Sequence, residues 1–178
     1  MKRIYLDNAA ATPMDREVLD AMMPYLTTSY GNPSSLHFFG QQARAAVQKA
    51  RGQVAHCLGV SGEDLVFTSG GTEADNLAIL GYLRANFPQG GHVITTAVEH
   101  HAVLRTFQAL EEKGYDVTYV PVDADGCASA DDVAAAIRDD TVLISAMYAN
   151  NETGMIQPIA AIGAVAKEKG VAFHVDAV

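Results

Sequence analysis

Four short stretches of this sequence hold residue types that can bind or activate a charged, planar ligand. The first is TSGGTEADN, Thr68–Asn76. A strand pattern at Leu65–Phe67 runs into Gly70-Gly71 and then into a helical pattern from Thr72. Backbone N–H groups at a helix start, with glycines permitting close approach, suit a phosphate. The same residues also fit a plain tight turn capped by Thr72, with Asp75 completing a capping-box-like pair. Neither the G-K-[ST] of a Walker loop nor the G-x-G-x-x-G of a dinucleotide site is present.

The second stretch is VEHHAVL, Val98–Leu104, at a strand-to-helix corner. His100 and His101 are adjacent and point in different directions, so they do not make the i, i+4 pair of a zinc site. One of them can handle a proton over a cofactor near neutral pH, or simply start a helix in solvent. The third is YANNETGMIQP, Tyr148–Pro158, whose paired asparagines can bind a ligand oxygen or serve as turn residues. The fourth is HVDAV, His174–Val178. A carboxylate at the end of an apolar strand is costly to bury without a partner, and a protonated pyridine nitrogen is one such partner. No helical pattern follows Asp176 for it to cap. Together these strand ends suit a flat, phosphorylated heteroaromatic cofactor. By contrast VDADG, Val122–Gly126, lacks the glycine and glutamate spacing of a calcium loop and reads as a turn, and no metal site is expected.

The elements that must position these groups follow from hydrophobic periodicity. Strands are expected at Leu65–Phe67, His92–Thr96, Val117–Val120, Val142–Ala146 and Val171–Val175. Helices are expected at Asp15–Leu26, Gln41–Leu58, Thr72–Ala85, around Val103–Leu110, at Asp131–Arg138 and over Ile159 to about Gly170. Alternating helices and continuous apolar strands predict an α/β fold, a mainly parallel sheet with helices on both faces. Ligands of such sheets bind outside the carboxyl ends of the strands, where all four stretches fall.

Composition narrows the function. The 49% hydrophobic and 19% charged residues allow one folded core in 178 residues. The net charge of −9, without a basic run, argues against nucleic acid as a partner. No apolar run approaches a membrane span, and Met1-Lys2-Arg3 leads into a polar motif, so neither a membrane nor a signal peptide is expected and the default location is cytoplasmic. Cys57 and Cys127 lie far apart, with no neighbouring cation to favour a thiolate.

In order along all 178 residues, six motifs resemble those of the cysteine desulfurases, fold-type I enzymes of the aminotransferase class V family that use pyridoxal 5′-phosphate. They are YLDNAAATP (Tyr5–Pro13), GNPSSLHFFG (Gly31–Gly40), FTSGGTEADNLAI (Phe67–Ile79), EHHAVL (Glu99–Leu104), NNETGMIQPI (Asn150–Ile159) and FHVDAV (Phe173–Val178). GNPSS-x-H and NNETG favour the housekeeping and nitrogen-fixation branch. The resemblance implies that Gly71 and Thr72 contact the cofactor phosphate and that His100 stacks on the ring and moves protons. It implies that Asn151 binds on the phenolic-oxygen side, and that Asp176 pairs with the protonated ring nitrogen, keeping the ring an electron sink.

The reaction so implied converts L-cysteine to L-alanine and leaves sulfur as a persulfide on an enzyme cysteine. That sulfur goes to an acceptor or iron–sulfur scaffold protein. Similar enzymes are homodimers with a seven-stranded large domain. Residues 1–14 would belong to the small domain and residues 15–178 to a large domain incomplete at its C-terminus, with Leu65–Phe67 beside a gap.

The departures are as informative. Lys2, Lys49, Lys113, Lys167 and Lys169 do not match the Schiff-base lysine of that family, and neither cysteine matches its persulfide carrier. Residues 1–178 alone are therefore expected to be inactive without a C-terminal half or a complementing chain. Two other readings are a stand-alone, non-catalytic protein that binds pyridoxal phosphate or a desulfurase, and a related class V lyase or aminotransferase.

Overall fold

The computed structural model describes residues 3–178, which divide into two compact units at the boundary between Phe67 and Thr68. In the first unit, helix α1 (Arg16–Thr27) starts at Asp15, whose Oδ1 accepts the Glu17 N–H at 2.8 Å. Helix α2 (Phe38–Leu58) starts at His37 and stops at Gly59, whose φ of +68° is the left-handed conformation that closes a helix most cheaply with glycine. A short 3-10 turn, Gly62–Asp64, follows with a capping box from Ser61.

The strand expected at Leu65–Phe67 does not form. Arg51 takes the backbone oxygens in this region, donating to Leu65 O at 2.5 Å and to Gly62 O at 3.2 Å. Its guanidinium also lies 4.8 Å from the Phe67 ring centroid. A strand exists only through its ladder, and among the described residues none pairs with this segment, whose Val66 stays 70% exposed.

The second unit holds the sheet. Its elements are α3 (Gly71–Asn86), β1 (His92–Thr96), α4 (His101–Glu111), β2 (Asp116–Val120), α5 (Ala130–Ala136), β3 (Thr141–Met147), α6 (Ile159–Lys169) and β4 (Ala172–Asp176). All the pairings are parallel, in the order β2-β1-β3-β4. The sheet thus has four strands rather than the five expected, and the other four expected strands are all present to within a residue or so.

Side chains alternate across the sheet, so neighbours serve opposite cores. Val93 and Leu143 join Ile79 and Leu83 of α3 and Val103, Phe107 and Leu110 of α4 in one cluster. Ile94 and Ile144 join Val133 of α5 and Ile162 and Ala166 of α6 in the other. Helices on both faces explain why β1 and β3 are buried along nearly their whole length.

Most buried polar side chains of this unit are matched, Thr95 Oγ1 and Glu99 Oε2 excepted. The buried imidazole of His92 meets Thr141 Oγ1 at 2.7 Å and Thr118 Oγ1 at 2.8 Å, and burial pushes it below the usual histidine range. Gln157 is buried and pins the Asp123–Ala128 turn, accepting from Ala128 N and donating to Gly126 O, both at 2.8 Å. The VDADG segment is indeed a turn, with Asp123 Oδ1 accepting from Asp125 N and Cys127 N. No helix among the described residues is long and apolar enough to cross a membrane.

Phe107 is fully buried in the α3–α4 cluster. Phe107→Ala is expected to lower the unfolding free energy by about 3–5 kcal/mol. Denaturant titration measures this, and a loss below about 1 kcal/mol would place Phe107 outside the cooperative core.

Candidate functional site

The strand order reverses between β1, which leads to β2 on one side, and β3, which lies on the other. That crevice at the carboxyl ends is where open α/β sheets bind ligands. Two side chains tie its walls together. Glu99 follows β1 and accepts with Oε1 from Thr96 Oγ1 at 2.6 Å and from Met147 N of β3 at 2.8 Å. Asn150 follows β3 and donates to Val98 O at 3.0 Å, while its Oδ1 accepts from Glu152 N and Thr153 N at 2.9 Å. One asparagine thereby shapes the 150–155 turn and binds it to the loop after β1.

Asn151, the residue expected to meet a ligand, is exposed in that turn, and its neighbour Asn150 performs the structural work. His100 is the N-cap of α4, its Nδ1 accepting the Ala102 N–H at 3.1 Å. That bond leaves the neutral ring's proton on Nε2, and the ring itself is exposed. His101 is the first residue of α4, its ring centroid 6.2 Å from that of His100.

Helix α3 begins one residue earlier than expected, at Gly71 with Gly70 as N-cap, and no side chain caps it. The capping box expected from Thr72 and Asp75 is absent for a definite reason. Glu73 instead reaches back to Ser69, accepting its N–H at 2.7 Å and its hydroxyl at 2.5 Å, and these bonds hold Glu73 below the usual carboxylate range. Thr72 is exposed at the helix start, and Asp75 turns inward, 4% exposed. A Cβ at Gly71 would lie 2.5 Å from a methyl of the exposed Val178, which would have to shift.

Asp176 ends β4, 8% exposed, with its Oδ1 accepting the Val178 N–H at 3.0 Å. The structure therefore brings Asp176, the start of α3 and the start of α4 to one region. Asp75 registers both neighbours. Burial and then Asp176 push it up to about 6, while His100 pulls the other way. Glu99 is driven up to about 7, chiefly by burial, against its bonds to Thr96 and Met147 and with Asp176 and Asp75 adding to the rise. Its Oε2 is buried without a hydrogen-bond partner.

Asp75, Glu99, His174 and Ser145 were not read as site residues in the sequence. Asp75 carries a usable signal, because 75, 79 and 83 are spaced by one helical repeat and Ile79 and Leu83 face the core. His174 alternates with Phe173 and Val175, which places it on the face of Asp176.

This set of groups suits a cationic heteroaromatic ring. Three carboxyls converge, and among the described residues no lysine or arginine forms an ion pair with Asp75, Glu99 or Asp176. A protonated ring nitrogen would supply the missing positive charge, with Asp176 as its partner and the α3 N-terminus available to a phosphate.

The family model of the class-V aminotransferases matches residues 4–178, and the chain belongs to that family. Its members are pyridoxal-phosphate-dependent. The cysteine desulfurase IscS of Methanosarcina thermophila is 52% identical over 177 residues, which are 99% of this chain and 44% of that protein. Among solved structures, a NifS-like protein superposes with a TM-score of 0.94 at 42% identity, covering 99% of this chain and 49% of its own. SspA in complex with cysteine gives 0.91 at 43% identity, with 97% and 50% covered. The chain thus spans about half the length of the relatives it matches.

Glu99 makes a pH prediction. Its carboxyl is bound more tightly by protons in the folded state than at its ordinary value of 4.5. Its contribution to stability is fully present below that value and is lost as pH rises to about 7, a change on the order of 3 kcal/mol. Glu99→Gln should flatten the unfolding free energy across this window. An equal slope in both proteins would show that Glu99 ionises normally.

Proposed function

We propose that residues 1–178 are the N-terminal part of a pyridoxal-phosphate-dependent cysteine desulfurase that takes L-cysteine to L-alanine and passes the sulfur on through an enzyme persulfide. The observation that carries this reading is the buried carboxylate of Asp176 at the end of β4, in a region rich in carboxyls and poor in cations. The matches to cysteine desulfurases, and to a structure holding cysteine, support the substrate class.

In this reading Asp176 holds the cationic ring nitrogen, and Gly71 and Thr72 present backbone N–H groups of the α3 start to the phosphate. The cofactor, when bound, supplies an electron sink that weakens bonds at the substrate α-carbon. His100 would stack on the ring, and its Nε2, left free by the bond from Ala102 N to Nδ1, would be the atom that carries or gives up a proton. Asn151 is exposed in a turn braced by Asn150 and would bind on the phenolic-oxygen side.

The lysine that binds the cofactor covalently and the cysteine that accepts sulfur come from sequence outside residues 1–178. Residues 1–14 would belong to the small domain, as in similar proteins, and 15–178 to a partial large domain. The working enzyme is a cytoplasmic homodimer that hands sulfur to an acceptor or iron–sulfur scaffold protein.

Asp176→Ala in the full-length protein is expected to weaken pyridoxal phosphate binding by about a hundredfold or more, the ~3 kcal/mol of a broken buried pair. Unchanged affinity in a spectroscopic titration would remove Asp176 from the site. Residues 1–178 supplied alone should release no alanine from L-cysteine beyond what free pyridoxal phosphate produces. Alanine above that background would mean that the chemistry needs neither missing residue.

A further inference from the structure

Beneath Asp176 runs a line of three groups, buried at both ends and half-buried at His174. His174 shares its face of β4 with Asp176, and Ser145 stands beside it in register on β3. Ser145 Oγ lies 2.9 Å from His174 Nδ1, and His174 Nε2 lies 3.6 Å from Asp75 Oδ1 on α3. Ser145 is fully buried and Asp75 is 4% exposed. Two carboxyls, Asp75 and Asp176, therefore share one water-poor region with one imidazole between strand and helix.

We propose that Asp75 and His174 are positioning residues that act through Asp176. The Ser145–His174–Asp75 line takes up or releases one proton and so sets how much negative charge stands beneath the ring nitrogen. This inference rests on the reading that Asp176 faces a pyridoxal phosphate ring.

The proton balance is simple. With Asp75 ionised, His174 directs Nε2–H toward it, and Ser145 donates its O–H to Nδ1. After one proton is taken from solvent, Asp75 is a neutral acid directed at Nε2, and His174 carries Nδ1–H, which donates to Ser145 Oγ. The imidazole is neutral in both states, so the line changes from one negative charge to none. Burial favours the neutral imidazole, although Asp176 opposes this, and it likewise favours the neutral form of Asp75. The other ionisable groups facing the line are His100 from the start of α4, which favours ionised Asp75, and Glu99 after β1, whose own ionisation Asp75 opposes.

A cation over Asp176 must shift the line toward its ionised state, so affinity for a protonated ring gains as pH rises through the titration of Asp75. Pyridoxal phosphate affinity of the full-length protein, measured from about pH 5 to pH 8, should therefore rise about tenfold more in wild type than in Asp75→Asn. Comparing the two proteins cancels the titrations of the ligand itself. Superimposable profiles would overturn the inference while leaving the functional reading intact, whereas a wild-type protein that binds no pyridoxal phosphate would overturn both.

A second measurement needs no variant. In histidine-15N-labelled wild type, the His174 proton should move from Nε2 to Nδ1 as pH falls. A single tautomer throughout, or an imidazolium signal, would overturn the proposal.

Discussion

Asp75, Glu99 and Asp176 place three carboxyl groups out of water at one edge of a parallel sheet, where burial and the neighbouring Asp176 make Asp75 and Glu99 harder to ionise. Charges so placed need hydrogen bonds, protons or a cation, because desolvation alone costs several kcal/mol per ion. The unit uses all of the first two. Glu99 accepts a hydroxyl and a backbone N–H, Asp75 faces an imidazole, and Asp176 accepts the N–H of Val178. What is absent among the described residues is a paired cation, and this gap defines the ligand that suits the site.

The same groups hold the scaffold in register. Glu99 spans β1 and β3 at the point where the strand order reverses, and Asn150 spans the two loops above it. The crevice that a ligand would enter is therefore bridged at its base by side chains rather than by ladder bonds alone. Helices α3 and α4 pack on one face through Ile79, Leu83, Val103 and Phe107, so each helix start is held by an apolar core within the next few turns. Rigid elements with their termini at one edge are the ordinary means of holding a few polar groups in a fixed arrangement.

Membership in the class-V aminotransferase family agrees with this arrangement, and the chain spans about half of the cysteine desulfurases it resembles. The described unit supplies the kinds of group that hold a cofactor without covalent attachment: a helix start, an imidazole, an amide and a carboxylate. A division in which one part of a protein binds and orients while another supplies the nucleophile is chemically natural, since covalent catalysis needs only that the two meet at the reacting atom.

The sequence by itself determined the α/β class, the four strands of the sheet, all six helices and the addresses of Gly71, Thr72, His100, Asn151 and Asp176. These are local properties, set by periodicity, by glycines and by residues at strand ends, and local patterns survive into the fold. It also suggested a strand at Leu65–Phe67 and a cap at Thr72 that did not form. At Leu65 a partner 14 residues away won, Arg51 for the carbonyl, whereas at the α3 start a rival local contact won, Glu73 for Ser69 four residues before it. Only the tertiary structure decided that Asp75, Glu99, His174 and Ser145 are neighbours of the site. Their pairings join α3 to β4, β3 to β4 and the end of β1 to β3, across 29 positions of chain for Ser145–His174 and 48 for Glu99–Met147. No spacing rule reaches that far, because whether a carboxyl is buried beside another depends on which strands the chain brings together.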